Sequence, residues 1–106
     1  METTVERRVS ARKPARVYFN KYIDGHPYLC EAVDLSSSGM LLRRVGEPDA
    51  SRACYAFEMA DERGGERIWL CATPVWSQGD FEAVRFVAPS DRDKALLEGL
   101  LEGLDA

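Results

Sequence analysis

The chain has 106 residues, which is the length of one domain with a single hydrophobic core. Apolar residues make up 45% of it and charged residues 30%, as in ordinary globular domains, and no apolar run approaches the roughly 18 residues that a transmembrane helix needs. No apolar signal segment follows Met1, so we expect a cytoplasmic protein that does not insert into a membrane.

The use of cysteine and histidine argues against a metal site. Cys30, Cys54 and Cys71 are widely spaced, no CxxC pair occurs, and His26 is the single histidine. A structural zinc site needs a closely spaced set of such ligands, so we expect no metal. Three reduced thiols suit a cytosolic protein, and we predict that each cysteine is a small buried hydrophobic residue.

The net charge of −4 is unevenly distributed along the chain. Residues 1–21 carry six basic and two acidic side chains, a balance of +4, which leaves −8 for the rest. A protein that binds a nucleic acid polymer needs a broad basic face, so this distribution argues against such a partner. It suits a small anion, which a few clustered arginines can hold. Residues 1–13 show no apolar periodicity and predict a flexible arm.

Short stretches rich in β-formers alternate with turn signals through the middle of the chain. They predict six strands, at residues 15–23, 28–35, 40–43, 53–59, 67–76 and 81–87. Pro74 predicts a bulge or an edge in the fifth strand. Because closure removes exposed strand edges, we predict an all-β fold, a small six-stranded antiparallel barrel over residues 14–89.

The second predicted strand follows the turn signal Asp24-Gly25-His26-Pro27. We expect His26 to be an exposed residue of that turn, because no catalytic partner is implied beside it. Alternation along the strand places Leu29, Val33 and Leu35 together on one face.

In residues 90–106 the spacing of the apolar residues changes to that of a helix, which predicts a C-terminal helix. Ser90 is a capping residue, and Asp91 and Asp93 suit the first turn. Leucines then recur at helical spacing, with one more beside them: Leu97, Leu100, Leu101 and Leu104, and Leu96. We expect this stripe to pack on the barrel, and the alternative is a helix that binds a partner or a second copy of the chain.

Two polar clusters carry the candidate site. Three arginines lie in the arm, two of them spaced as R-x-x-x-R: Arg7, Arg8 and Arg12. A D-x-S-x-x-G turn joins the second and third predicted strands: Asp34, Ser36 and Gly39. Asp34 can accept two parallel N–H bonds, Ser36 can donate or accept, and Gly39 allows a positive φ or a close approach. Taken alone, the second cluster is also typical of a polar hairpin loop.

The two motifs, in this order and ahead of a predicted barrel, resemble the PilZ domain family from about Arg7 to Val87. PilZ domains are receptors for the bacterial second messenger cyclic di-GMP. The resemblance implies that Arg8 and Arg12 bind this ligand. It also implies that Arg7, directly before the run, bears on whether one ligand or a stacked pair binds, and a third arginine favours the pair.

The same resemblance implies that Asp34, Ser36 and Gly39 form the polar turn of the binding site. The chemistry of the ligand agrees with these residue types. Arginine reaches guanine O6 and N7 with two parallel donors and also suits phosphate. Asp34 can accept from guanine N1–H and N2–H₂, a donor pair that adenine lacks. Ser36 would add a hydrogen bond, and Gly39 would let the ligand lie close to the backbone.

The predicted function is therefore a cyclic di-GMP receptor that signals by contact with another protein. The alternative is an interaction module of the same fold that does not bind nucleotide. No nucleophile–base set, metal cluster or P-loop occurs, so we expect no enzymatic activity, no catalytic residues and no cofactor. The acidic balance beyond residue 21 argues against an oligonucleotide-binding barrel.

Overall fold

A computed structural model describes residues 12–60 and 65–104 and shows a closed six-stranded antiparallel barrel with one C-terminal helix. The strands follow the order β1-β2-β3-β6-β5-β4 around the barrel. Their bounds are β1 Lys13–Ile23, β2 His26–Leu35, β3 Gly39–Arg44, β4 Tyr55–Ala60, β5 Arg67–Gln78 and β6 Phe81–Phe86. This confirms the predicted fold class. The predicted arm lies outside the described residues, apart from Arg12 and from Lys13, which already belongs to β1.

The core is built from the inward-facing side chains of all six strands. The largest apolar ones are at most 3% exposed: Phe19, Leu35, Met40, Leu42, Phe57, Met59 and Ile68. The rings of Phe19 and Phe57 are in contact, with their centroids 4.8 Å apart. Alternation is strict in the first half of β5, where Ile68, Leu70 and Ala72 are buried and the residues between them are exposed.

The helix α1, Asp91–Leu104, packs on the barrel, as the leucine stripe predicts. Leu97 and Leu101 are buried, and the other leucines are half-buried against the same core. Ser90 caps the helix, because its hydroxyl accepts a hydrogen bond from the backbone N–H of Asp93 at 3.1 Å. In the described part of the chain, no helix is long and apolar enough to cross a membrane.

The β1–β2 hairpin has a tighter turn than the sequence predicts. Asp24 and Gly25 both have positive φ, 53° and 86°. Two central residues of this kind make a type I′ turn, whose twist matches the flanking strands. His26 and Pro27 are therefore the first residues of β2, not part of the turn, although His26 is exposed as predicted.

A bulge in β2 makes the predicted face of this strand wrong. Leu29 is 48% exposed, whereas Cys30 and Ala32 point into the core. The register against β3 shifts between Ala32 and Asp34, so that one extra residue reverses the alternation. Leu35 then points inward as predicted, and Asp34 is left on the outside of the barrel.

A second bulge lies in β5, between Pro74 and Trp76, where Pro74 predicts one. The inserted residue is Val75, which is 59% exposed. Trp76 is consequently turned outward opposite Ala83 of β6 and is 50% exposed.

The three cysteines differ in burial, so the prediction that all are buried is wrong for two of them. Cys30 is buried, whereas Cys54 and Cys71 are exposed. Cys54 lies before β4 begins, and Cys71 occupies an outward position of β5 between the buried Leu70 and Ala72.

One end of the barrel encloses a buried ion cluster that the sequence does not reveal. The Lys21 ammonium donates to Glu47 at 2.8 Å and to Glu82 at 2.9 Å, and it lies 4.2 Å from the ring centroid of Tyr55. The three charged side chains are 1%, 5% and 7% exposed. Burial lowers the pKa of Lys21, but the bonds to both carboxylates outweigh it, and the pKa is raised overall. Lys21 is therefore charged at neutral pH.

Candidate ligand-binding site

The turn between β2 and β3 is held in shape by Ser36. Its hydroxyl oxygen accepts from the backbone N–H of Gly39 at 3.1 Å and of Ser38 at 3.2 Å. The hydroxyl donates to the carbonyl of Gly39 at 3.2 Å, and the side chain is buried. These bonds use the donor and both lone pairs of the hydroxyl. In this structure Ser36 shapes the turn and does not present a free hydrogen-bonding group to a ligand.

Gly39 is the first residue of β3, and its requirement for glycine is steric. It is buried, and its φ is not positive. A Cβ added to it would overlap the backbone carbonyl oxygen of Val84 on β6. Gly39 therefore lets the neighbouring strand β6 approach closely. The sequence suggested instead that it lets a ligand approach.

Asp34 is the exposed acceptor of the turn. Its Oδ1 accepts from the backbone N–H of Leu41 at 3.2 Å and from Nη1 of Arg12 at 2.8 Å. Among the described residues Oδ2 has no hydrogen-bond partner. The side chains of Arg12 and Asp34 are 50% and 26% exposed. The structure thus brings together one arginine of the arm and the aspartate of the turn, while Arg7 and Arg8 lie outside the described residues.

A strip of outward-facing residues extends from Asp34 across the barrel, and of its two apolar central members Leu41 is partly exposed and Ala83 is 6% exposed. Successive strand partners place four outward residues in a row: Asp34, Leu41, Ala83 and Trp76. Neighbouring strands lie about 4.8 Å apart, so the row is about 14 Å long. It presents a carboxylate at one end and an exposed indole at the other. Sequence reasoning missed Trp76, although an aromatic residue directly after a proline-induced bulge is a usable signal.

Two further arginines flank this strip. Arg85 of β6 pairs with Gly39 in register and is exposed, and the described part of the chain supplies it with no ion-pair partner. Arg43 of β3 lies on the other side and donates to Glu31 through Nε and Nη2 at 3.0 and 2.9 Å. Neither arginine stands out in the sequence, because each lies alone within a strand. The strip and its cations form a surface suited to a planar anionic ligand.

A surface depression lies apart from the strip. It lies at the far end of β3 and is lined by residues 44–49, Gly79 and Asp80, none of which belongs to the strip. Within residues 12–60 and 65–104, no group of three or more His, Cys, Asp or Glu side chains is placed to hold a metal ion.

Comparison with known protein families identifies the family of this barrel. Residues 6–103 match the PilZ domain family, and the chain therefore belongs to it. PilZ domains are a cyclic di-GMP-binding family of receptor and adaptor modules. A search of curated protein sequences found no match.

Solved structures with the same fold include other PilZ domains. The PilZ domain of CeSA from a cellulose-synthesizing bacterium is 18% identical with a TM-score of 0.73, and the match covers 92% of this chain and 100% of that one. The Bacillus subtilis inhibitor of motility, MotI, is 16% identical with a TM-score of 0.70, over 92% of this chain and 50% of that one. An uncharacterized Legionella protein is 15% identical with a TM-score of 0.56, over 89% and 92%.

Proposed function

We propose that this protein is a receptor for cyclic di-GMP that signals through contact with another protein. The observation that carries the proposal is the contact between Arg12 and Asp34, 2.8 Å apart on the open surface. Arg12 belongs to the R-x-x-x-R arm and Asp34 to the D-x-S-x-x-G turn, and the two residues are 22 positions apart in the sequence. Their meeting at one exposed point supports a shared role in binding.

The carboxylate of Asp34 supplies the preference for guanine. Its Oδ2, which no described residue binds, and its Oδ1 accept from N1–H and N2–H₂ of one base, and Leu41 N–H holds the carboxylate in place. The ion pair with Arg12 is exposed, and such pairs contribute only about 0–1 kcal/mol, so Arg12 is readily released to a phosphate or to guanine O6 and N7. Ser36 and Gly39 serve the site by shaping the turn that carries Asp34.

Calorimetric titration with cyclic di-GMP tests this proposal directly. We expect saturable binding, and much weaker binding of cyclic di-AMP, because adenine has no N1–H and N2–H₂ donor pair for Asp34. Cyclic di-AMP has the same phosphodiester ring and is a matched control for charge alone. Equal affinities would refute guanine recognition, and no binding of either nucleotide would favour an adaptor module that does not use nucleotide.

The exposed indole of Trp76 is proposed to stack on a base of the ligand. Base–aromatic stacking contributes about 1–3 kcal/mol, so Trp76→Ala is expected to weaken binding about fivefold or more. Trp76→Phe should retain most of the affinity. Trp69→Ala is the matched control, since Trp69 is also an exposed β5 tryptophan at 44%, but its ring is tilted against that of Tyr22 with the centroids 5.5 Å apart. If both alanine variants bind as the wild type does, Trp76 is not part of the site.

Arg7 is proposed to favour a stacked pair of ligands. The wild type should bind about two molecules per chain, because a third clustered arginine offsets more phosphate charge. Arg7→Ala should shift the stoichiometry toward one or lower the affinity, as the same titration reports. A wild-type ratio near one would contradict this expectation.

Signalling by protein contact is supported by the surface beside the strip. Four large apolar side chains there are 42–55% exposed: Tyr18, Leu29 and Phe81 on strands, and Val45 in the loop after β3. Tyr18 and Phe81 belong to one row, linked through Glu31 and Arg43. Large exposed apolar side chains grouped around a charged pair are typical of a protein interface. Its position next to the strip lets a bound nucleotide alter what a partner contacts.

A further inference from the structure

Two exposed cysteines lie side by side on the outer surface, where β5 passes the start of β4. Cys71 is opposite Ala56 of β4, and Cys54 lies two residues before Ala56, so the cysteines are diagonal neighbours on the outward face. Both are free thiols. The neighbouring Cys54 thiol, ahead of partial burial, raises the pKa of Cys71.

We propose that Cys54 and Cys71 form a redox-sensitive pair that a peroxide closes into an intramolecular disulfide. One thiolate attacks the peroxide O–O bond and becomes a sulfenic acid, while hydroxide leaves and takes up the thiol proton as water. The second sulfur then displaces the sulfenic oxygen, which leaves as water with the second thiol proton. The thiols lose two electrons in total, and the peroxide is reduced to two waters.

The backbone allows this bridge with a small movement. Diagonal neighbours in a regular sheet are about 7–8 Å apart, slightly more than the 4.4–6.8 Å that is typical of Cα atoms in a disulfide. Cys54 precedes Tyr55, where β4 begins, so its backbone is not held in the β4–β5 ladder. A bridge that pulls the backbone at Cys54 toward β5 stores some strain, and strained exposed disulfides are easily reduced. The pair is therefore suited to reversible oxidation.

Cys30 provides an internal control, because nothing in its surroundings favours reaction. It is fully buried, and its thiol donates to Oε1 of Glu47 at 3.4 Å. Burial, followed by the negative charge of Glu47, raises the pKa of Cys30 to about 12. It therefore stays protonated and inaccessible in the folded protein.

The test is oxidation of the full chain with hydrogen peroxide, followed by alkylation of the remaining thiols, tryptic digestion and mass spectrometry. We expect a disulfide-linked peptide pair, residues 53–63 joined to residues 68–85, which dithiothreitol separates. Cys30, in the peptide of residues 22–43, should be alkylated only after denaturation. The linked pair should disappear in Cys54→Ser and in Cys71→Ser, and a non-reducing gel should show the oxidised wild type as a monomer.

Three outcomes would overturn the proposal. They are oxidation of either cysteine to sulfinic acid in place of the linked pair, disulfide-linked dimers on the non-reducing gel, and linkage to Cys30. No step of this experiment involves a nucleotide, so its result is independent of the proposed receptor function.

Discussion

Replacing Asp34 with asparagine is expected to lower the affinity for cyclic di-GMP about tenfold to a hundredfold, with the barrel intact. Charge-assisted hydrogen bonds contribute about 1.5–3 kcal/mol, which corresponds to this range of affinity. Asparagine keeps an oxygen for Leu41 N–H, which Asp34 binds at 3.2 Å, and so preserves the turn. Its amide N–H₂, however, faces the N–H donors of guanine. Calorimetric titration measures the loss, and circular dichroism monitors the fold.

The matched control is Asp24→Asn at the other end of β2. Asp24 also forms an exposed ion pair with an arginine, since Arg52 donates to both of its carboxylate oxygens, at 3.1 and 2.6 Å. Its positive φ of 53° is one that asparagine tolerates. Asp24→Asn should bind as the wild type does. Arg12→Ala should lose at least tenfold in affinity and Arg52→Ala nothing. If Asp34→Asn and Asp24→Asn have the same affinity, Asp34 does not contact the ligand.

Replacing Lys21 with alanine is expected to lower the free energy of unfolding by about 3–5 kcal/mol. The side chain is 1% exposed, and its ammonium is the counter-charge of two nearly buried carboxylates, Glu47 and Glu82. Truncation leaves these two negative charges facing each other without compensation. Small domains are stable by only about 5–15 kcal/mol, so this is a large part of the total. Urea unfolding followed by circular dichroism and tryptophan fluorescence measures the change.

Arg52→Ala serves as the control, because its pair with Asp24 is exposed on both sides and is expected to contribute no more than about 1 kcal/mol. A second variant tests the cause: combining Lys21→Met with Glu47→Gln and Glu82→Gln removes all three charges and should recover part of the lost stability. If the Lys21→Ala and Arg52→Ala variants unfold at the same urea concentration, the buried cluster does not stabilise the barrel.

The pH dependence of the Lys21 contribution has a defined direction. The pKa of Lys21 is raised in the folded state by its bonds to Glu47 and Glu82, against the effect of burial. A raised folded pKa gives a contribution that is complete below the unfolded value and is lost as the pH rises through the folded value. As the pH rises from neutral, the difference in stability between wild type and Lys21→Ala should therefore stay constant at first and fall under strongly alkaline conditions, where Lys21 loses its proton.

The sequence by itself determined the elements that depend on local chemistry. Alternation and turn residues are properties of neighbouring positions, and they predicted six strands with bounds that differ by a few residues from those observed. Ser90 and the leucine spacing likewise predicted a capped helix and the face that it buries. The D-x-S-x-x-G and R-x-x-x-R motifs indicated the family, which the match over residues 6–103 shows.

Only the tertiary structure decided which side chains share a surface. Pro74 predicts the bulge at Val75, but nothing local predicts the one at Val33, and it is the register of each strand with its neighbour that turns Asp34 and Trp76 onto the same outer face. Lys21 points inward because its counter-charges arrive from 26 and 61 residues away. Local propensity carries no information about such partners. Pairing across the barrel, rather than preference along the chain, therefore fixes both the buried charge and the candidate site.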